Sequence, residues 1–405
     1  MTDTFPVNRP SGCPFDPASE YAALRRTEGP SKVSTPAGVD AWVFSRYDDV
    51  RTVLRDDRLS SRSAPSDHVR VDADLDRQVD SGSVLHNDGM AHRRLRRLLA
   101  TEFAVKRMEA LRPRIVQMIE DHLDAMLAAG GPIDLVQAFA LPIPSLVICE
   151  LLGVPYADRD EFQQRSAVLV AIDRDPDEMM RVSGELNQYI VGLVLAKRAE
   201  REDDLLSRLI TRAEEQGEPL TVPELVSIGI TLLIAGHETT ANMIALSTLA
   251  LLRNPQQLKA LRADPSLASS AVEELLRYLS VVQFGVFRHV TEDLPAGCQT
   301  IEAGGFLVAA LSSANRDERA FPDPDRLELT RKAAGHVAFG FGPHQCLGQQ
   351  LARVELLEVF TRLYRRIPTL RLAVPFEELE FKDNTLVYGV TALPVTWDAP
   401  LPSEI

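Results

Sequence analysis

The decapeptide Phe339-Gly340-Phe341-Gly342-Pro343-His344-Gln345-Cys346-Leu347-Gly348 stands directly ahead of a segment, Gln349 to Tyr364, whose apolar residues recur at the three and four spacing of a helix. Gly340 and Gly342 let the backbone turn tightly and approach a planar ligand. A cysteine at the start of a helix meets free N–H groups and the positive end of the dipole, which stabilise its thiolate and make it a good metal ligand. A cysteine without such a setting is ordinarily a small buried hydrophobe. The competing glycine reading, a phosphate-cradling G-x-G-x-x-G, fails because Gln345 stands where the third glycine belongs and Pro343 lacks a donor.

Upstream, from Leu225 to Leu252, the sole formally charged side chain is Glu238, with His237 beside it. Thr221-x-x-Glu224 has the form of a capping box and Arg253-Asn254-Pro255 of a stop, predicting a helix of roughly 33 residues, or ~50 Å. As a membrane span it would strand Glu238 near the bilayer centre. A helix through the middle of a globular protein is therefore expected. At its centre lies Ala235-Gly236-His237-Glu238-Thr239-Thr240. Gly236 costs a helix about 1 kcal/mol relative to Ala, and its missing side chain would admit a flat cofactor. Glu238 and Thr239, an adjacent acid and alcohol, suit proton transfer; the other reading is a structural kink with a satisfied carboxylate. His237-Glu238 begins the zinc-binding H-E-x-x-H, but position 241 is alanine, so the second ligand is missing.

Together these stretches resemble the cytochrome P450 family, the haem-thiolate monooxygenases. Phe339, Gly342, His344, Cys346 and Gly348 match its F-x-x-G-x-[HR]-x-C-x-G loop, and Ala235, Gly236, Glu238 and Thr239 match its [AG]-G-x-[DE]-T motif. The resemblance implies a haem b (iron protoporphyrin IX) with Cys346 as axial iron ligand and His344 at a propionate. It also implies Ala235 and Gly236 beside the cofactor, with Glu238 and Thr239 managing protons. Glu274-Leu275-Leu276-Arg277 matches the family's E-x-x-R. Glu109/Arg112 and Glu178/Arg181 share that spacing, which usually marks solvated helix pairs. Order along the chain selects Glu274 and Arg277, and the meander-like Pro322 to Arg326 implies Arg326 as the third member of a structural network. The run His92-Arg93-Arg94-Leu95-Arg96-Arg97 reads either as a solvated basic face or, by resemblance, as an H-x-x-x-R that places His92 and Arg96 on one helix face at a propionate. Arg288 is the other implied propionate partner.

The chain has 405 residues and a formal net charge of −14, which disfavours nucleic acid and anionic membrane surfaces as partners. With 45% apolar and 25% charged residues it is an ordinary globular composition, neither disordered nor a small stapled scaffold. Cys13, Cys149, Cys298 and Cys346 are scattered singly, and the amino terminus lacks a secretory pattern, so a reducing cytoplasm is expected. Helical patterning covers Leu111 to Leu127, Glu185 to Arg198, Ala271 to Leu279 and Leu351 to Tyr364; strand-like runs are Ala41 to Phe44, Gly285 to Val290, Phe306 to Ala310 and Leu386 to Trp397. The expected architecture is mainly α with small β-sheets, one large P450-type domain over residues 1–405 enclosing the haem.

What the resemblance implies for function is dioxygen activation and hydroxylation or epoxidation of a hydrophobic secondary metabolite, steroid-like or drug-like molecule. Electrons would come from a separate ferredoxin and its NAD(P)H-dependent reductase, docking at Arg93, Arg94, Arg97 and Lys106. A peroxide-driven peroxygenase and a non-catalytic carrier are the alternatives. By position in the family, the pocket would draw on Ser61 to Val84, Val168 to Leu193, Ile234, Ala235, Val281, Val282 and the turn at Tyr388-Gly389. The protein is expected to be a monomer.

Overall fold

The computed structural model describes residues 3–398 apart from 7–8, 11, 36–38, 63–83, 160, 162–164, 166–175 and 384. Its principal helices are α1 (Tyr47–Val53), α2 (Gly89–Ala100), α3 (Val105–Ala129), α4 (Pro142–Leu152), α5 (Pro176–Ala199), α6 (Leu205–Glu215), α7 (Val222–Arg253), α8 (Ala268–Leu279) and α9 (Gln349–Arg366). All four expected helical segments lie inside these, each extended by one to several residues.

The 32-residue α7 starts and stops where its end signals predict. The Thr221 hydroxyl accepts from the Glu224 N–H while the Glu224 carboxylate accepts from the Thr221 N–H, a closed capping box. At the other end Asn254 leaves helical geometry and Pro255 follows. The helix is buried over most of its length and packs against α4, α5, α8 and α9. That is how a nearly uncharged 32-residue segment is accommodated: burial on several sides needs an apolar surface all round. Among the described residues no helix is long and apolar enough to cross a membrane.

A six-stranded mixed sheet joins distant parts of the chain in the order β1 (Asp3–Thr4), β2 (Ser31–Ser34), β3 (Asp40–Phe44), β9 (Phe306–Ala309), β6 (Val286–Val290) and β4 (Leu59–Ser60). β3 runs parallel to β9, with Ala41 opposite Phe306 and Phe44 opposite Ala309. Strands from the first sixty residues thus share one sheet with strands lying between Val286 and Ala309. β5 (Ile133–Asp134), β10 (Arg371–Leu372) and β11 (Pro394–Thr396) make a second sheet, and β7 (Leu294–Ala296) and β8 (Gln299–Ile301) a hairpin. The expected strand over Leu386 to Trp397 shrinks to β11 plus the isolated bridges Val282 to Val387 and Phe381 to Val390. Gly389 and Pro394 interrupt the run, and neither favours a continuous ladder.

Candidate active site

The loop ahead of α9 is drawn tight by its own backbone. Gly340 N–H donates to Val337 O at 2.8 Å, Gln345 N–H to Gly342 O at 3.1 Å, and Cys346 N–H to Phe339 O at 2.8 Å. Gly342 has φ +75°, and a Cβ there would stand 2.4 Å from the Leu54 carbonyl oxygen, just past α1. The close approach it permits within the protein is to the backbone at Leu54 and Arg55. Gly348 caps α9, and the N–H groups of Gly348 and Gln349 point at the Cys346 sulfur. Cys346 is accessible, yet enclosed enough that burial pushes its thiol up, against those two donors and the nearby charges of Arg96 and Arg353. A neutral thiol in this position gives up its proton on binding a metal, because the metal's charge replaces the missing solvation.

Cations gather on one side of Cys346. The His92 ring from α2 stacks on His344 at 3.9 Å between centroids and 23° between planes. His92 is buried and, among the described residues, its Nε2 has no hydrogen-bond partner. Arg96 lies one turn along α2 from His92, close enough to Cys346 for their charges to interact. Arg288 from β6 is buried, and burial lowers its guanidinium to about 10, with Asp88 the one opposing charge. Among the described residues neither Arg96 nor Arg288 has a carboxylate in ion-pair contact. Burial, then His92 and Arg288, lowers His344 to about 4, so it is neutral near pH 7. Its Nε2 lies 3.1 Å from Ser61 Oγ and 3.4 Å from Asp88 Oδ1. Burial would raise the Asp88 carboxyl, but donors from Ser60, Ser61 and Arg62 carry it down to about 2.

A buried guanidinium at Arg288, a half-buried one at Arg96 and, among the described residues, an unpartnered imidazole beside an accessible cysteine are costly in isolation, since a buried charge needs a counter-charge. A flat dianionic ligand with a thiolate-seeking metal at its centre satisfies all of them. The residues therefore fit a haem, whose carboxylates Arg96, Arg288 and the imidazoles of His92 and His344 could hold.

On α7, Ile234 and Ala235 are open although the helix around them is buried. Thr239 Oγ1 donates to Ala235 O at 2.7 Å, which commits its proton and leaves its lone pairs free to accept. Glu238 Oε1 lies 3.9 Å from Lys382 Nζ, and both side chains are largely enclosed. Burial lowers the Lys382 ammonium, with Glu238 pulling the other way. Within the protein Gly236 has a tight neighbour: a Cβ there would meet Ile148 Cδ1 of α4 at 2.6 Å. Close packing of α4 on α7 is what the missing side chain provides.

Glu274 and Arg277 are fully buried and paired on two edges, Arg277 Nε to Oε2 at 2.7 Å and Nη2 to Oε1 at 2.8 Å. Arg277 Nη1 also donates to the carbonyls of Asn315 and Pro324. The third member is Arg331, whose Nε donates to Glu274 Oε1 at 3.1 Å, and not Arg326. Arg326 is exposed and contributes a carbonyl, which accepts from Arg331 Nη2. The chain folds back through the turn at Asp323, so the residue five positions later is the one that faces the carboxylate.

The expected pocket segments at Val281-Val282 and Tyr388-Gly389 are brought together: Tyr388 N–H donates to Val281 O at 2.8 Å and Gln283 N–H to Leu386 O at 3.0 Å. This turn rests on α7, where a Cβ at Gly389 would fall 1.8 Å from Asn242 Oδ1. Most of Ser61 to Val84, and the part of Val168 to Leu193 from 168 to 175, lies outside the described residues. Of the basic side chains expected to meet a partner, Arg93, Arg97 and Lys106 are exposed. Arg94 instead binds Glu224 at 2.6 Å and the carbonyls of Glu218 and Pro219, and Arg97 binds Glu218 at 2.9 Å. Those two pin α2 to the start of α7. Lys382 and Arg331 were not found from sequence, because each meets its partner across a fold that spacing does not encode.

The family model described as Cytochrome P450 matches residues 16–385. The chain is 47% identical over 395 residues to Cytochrome P450-SU2 of Streptomyces griseolus, covering 97% of each chain. It is 46% identical over 399 residues to Pentalenic acid synthase of Streptomyces avermitilis, again covering 97% of each. The crystal structure of cytochrome P450 MoxA from Nonomuraea recticatena is similar with a TM-score of 0.90 and 46% identity, over 98% of each chain.

Proposed function

Because the chain belongs to the cytochrome P450 family of monooxygenases, we propose that it hydroxylates or epoxidises a hydrophobic small molecule on a haem b held by Cys346, with electrons from a separate ferredoxin and NAD(P)H-dependent reductase. The observation that carries this reading is the accessible Cys346 sulfur, faced by two backbone N–H groups and by the charges of Arg96 and Arg353. When bound, a thiolate-ligated haem supplies dioxygen activation and insertion of one oxygen atom into an unactivated bond.

The residues around it bind, orient and move protons. Cys346 ligates the metal. His92, Arg96, Arg288 and His344 hold the propionates, with Phe339, Gly342 and Gly348 shaping the loop. Ile234, Ala235, Val281 and Val282 offer a mostly apolar wall, which suits a secondary metabolite, a steroid-like or a drug-like molecule. Glu238, near Lys382, is the proton source on α7, and Thr239 is the acceptor that holds the incoming donor in line: its own hydrogen is bound to Ala235 O, so its lone pairs face that donor and the proton is delivered by the donor, not by the hydroxyl. The protein acts as one domain, monomeric and cytoplasmic.

Thr239→Ala tests the relay. Reductant consumption should persist while product falls by roughly a hundredfold or more and hydrogen peroxide rises, in line with loss of one acid–base contact. Product formation unchanged by the substitution would remove Thr239 from the relay. Wild-type turnover with peroxide alone, matching that with dioxygen and reductant, would favour a peroxygenase instead.

The exposed cations of the ferredoxin face are Arg93, Lys106 and Arg97, the last also paired with Glu218, and they are flanked by the exposed apolar side chains of Met90 and Val105. Charged groups on such a face govern encounter rate more than affinity. Arg93→Glu should slow the first electron transfer about tenfold at low salt, with the difference shrinking as salt screens it. Stopped-flow reduction that is equally fast in both proteins at every ionic strength would exclude this face.

A further inference from the structure

Next to the E-x-x-R glutamate on α8 stands a second carboxylate, Glu273, bound to both arms of the Cys346 loop. Arg353, on α9, donates from Nε to Glu273 Oε1 at 2.6 Å and from Nη2 to Oε2 at 3.1 Å, a two-pronged fork. Its Nη1 donates to Gln349 O and Oε1 at 3.3 and 3.0 Å. On the other arm, His336 Nε2 lies 3.3 Å from Glu273 Oε2, at ion-pair range but without a well-aligned hydrogen bond. His336 Nδ1 accepts from the Ala338 N–H. Between the two sits Phe339, its ring centroid 4.7 Å from the Arg353 guanidinium carbon and 5.7 Å from the His336 ring. The Phe339 carbonyl receives the Cys346 N–H.

Burial alone would raise the Glu273 carboxyl, but His336 and Arg353 carry it down to about 2, so the fork is charged at neutral pH. The Arg353 charge acts on the sulfur in the sense that favours the thiolate. Arg353 is one-quarter exposed, so water is within reach of its guanidinium.

Resting on the haem-thiolate reading above, we infer that Glu273 is a positioning residue for the Cys346 sulfur: it holds the Arg353 guanidinium beside the thiolate, a place the arginine does not keep alone. The sign of a measured potential separates this from a merely structural role. Reduction adds one negative charge to the centre, so a nearby cation eases it and a nearby anion opposes it. Removing the Glu273 carboxylate with Arg353 still in place would make the midpoint more positive. Removing it and releasing the guanidinium to water makes the midpoint more negative.

Redox titration of the holoenzyme is the test. Arg353→Gln should shift the midpoint to more negative values, and Glu273→Ala should shift it in the same sense. In Glu273→Ala the red-shifted Soret band of the ferrous carbon monoxide complex should convert to the unshifted form about tenfold faster, as loss of one charge-assisted hydrogen bond implies. Glu273→Asp, which keeps a carboxylate, should recover part of both changes. Glu273→Gln carries the same expectation at smaller size and serves if the alanine variant does not assemble. A midpoint in Glu273→Ala that is unchanged or more positive overturns the proposal, since Arg353 would then hold its place unaided. A wild-type protein lacking the red-shifted band would instead defeat the haem-thiolate reading itself.

Discussion

Cys346→Ser is expected to abolish the red-shifted Soret band of the ferrous carbon monoxide complex and to cut product formation by roughly a thousandfold or more, about 4 kcal/mol in barrier. A serine oxygen stays protonated where a thiol yields to the metal, so the strong electron donation of the sulfur is lost. The setting is built for an anion: two N–H groups at the head of α9 and the charges of Arg96 and Arg353 face the side chain. Little destabilisation of the chain should accompany the loss, because the Cys346 side chain is accessible and the loop is held by backbone bonds from Phe339, Gly340 and Gln345. The propionate anchors at His92, Arg96, Arg288 and His344 are untouched, so some haem should still bind. Retention of the red-shifted band in Cys346→Ser would mean that another group is the ligand.

The largest effect on stability is expected from Glu274→Gln. The Glu274 carboxylate accepts from Arg277 Nε and Nη2, from Arg331 Nε and from the Glu328 N–H, all in the interior. Neutralising it leaves the fully buried Arg277 guanidinium without its anion, a change that costs about 3–5 kcal/mol. Arg331→Ala should follow closely, whereas Arg326→Ala should stay within about 0.5 kcal/mol of wild type, as for an ordinary surface substitution. Denaturant unfolding of the purified proteins, with haem content measured alongside, checks both. Equal damage from Arg326→Ala and Arg331→Ala would contradict the assignment of Arg331 as third member.

Pairs within one turn of helix or one loop were readable in advance. Glu274 and Arg277 stand three apart on one helix and the cysteine directly ahead of α9, so each contact is local, although order along the chain and not spacing set Glu274 apart from Glu109/Arg112 and Glu178/Arg181. The capping box at Thr221 and Glu224 is local in the same way. Gly236 illustrates the limit: an absent side chain is visible in sequence, but what occupies the gap is Ile148 from α4. Arg94 and Arg97 illustrate it again. Both belong to a basic run, and both are taken up by Glu218 and Glu224, carboxylates more than a hundred residues away.

From the sequence alone came the extent of α7, since its capping box and stop lie within a few residues of its ends, and, by resemblance of short motifs in order, the family and the cysteine loop. Tertiary structure decided which arginine completes the Glu274 network, that Lys382 meets Glu238, and that β1 to β4 share one sheet with β6 and β9, more than two hundred residues away. It also set Glu273 between Arg353 and His336. These are contacts across long loops, where many residues of like chemistry could serve and the packing of α7, α8 and α9 selects one.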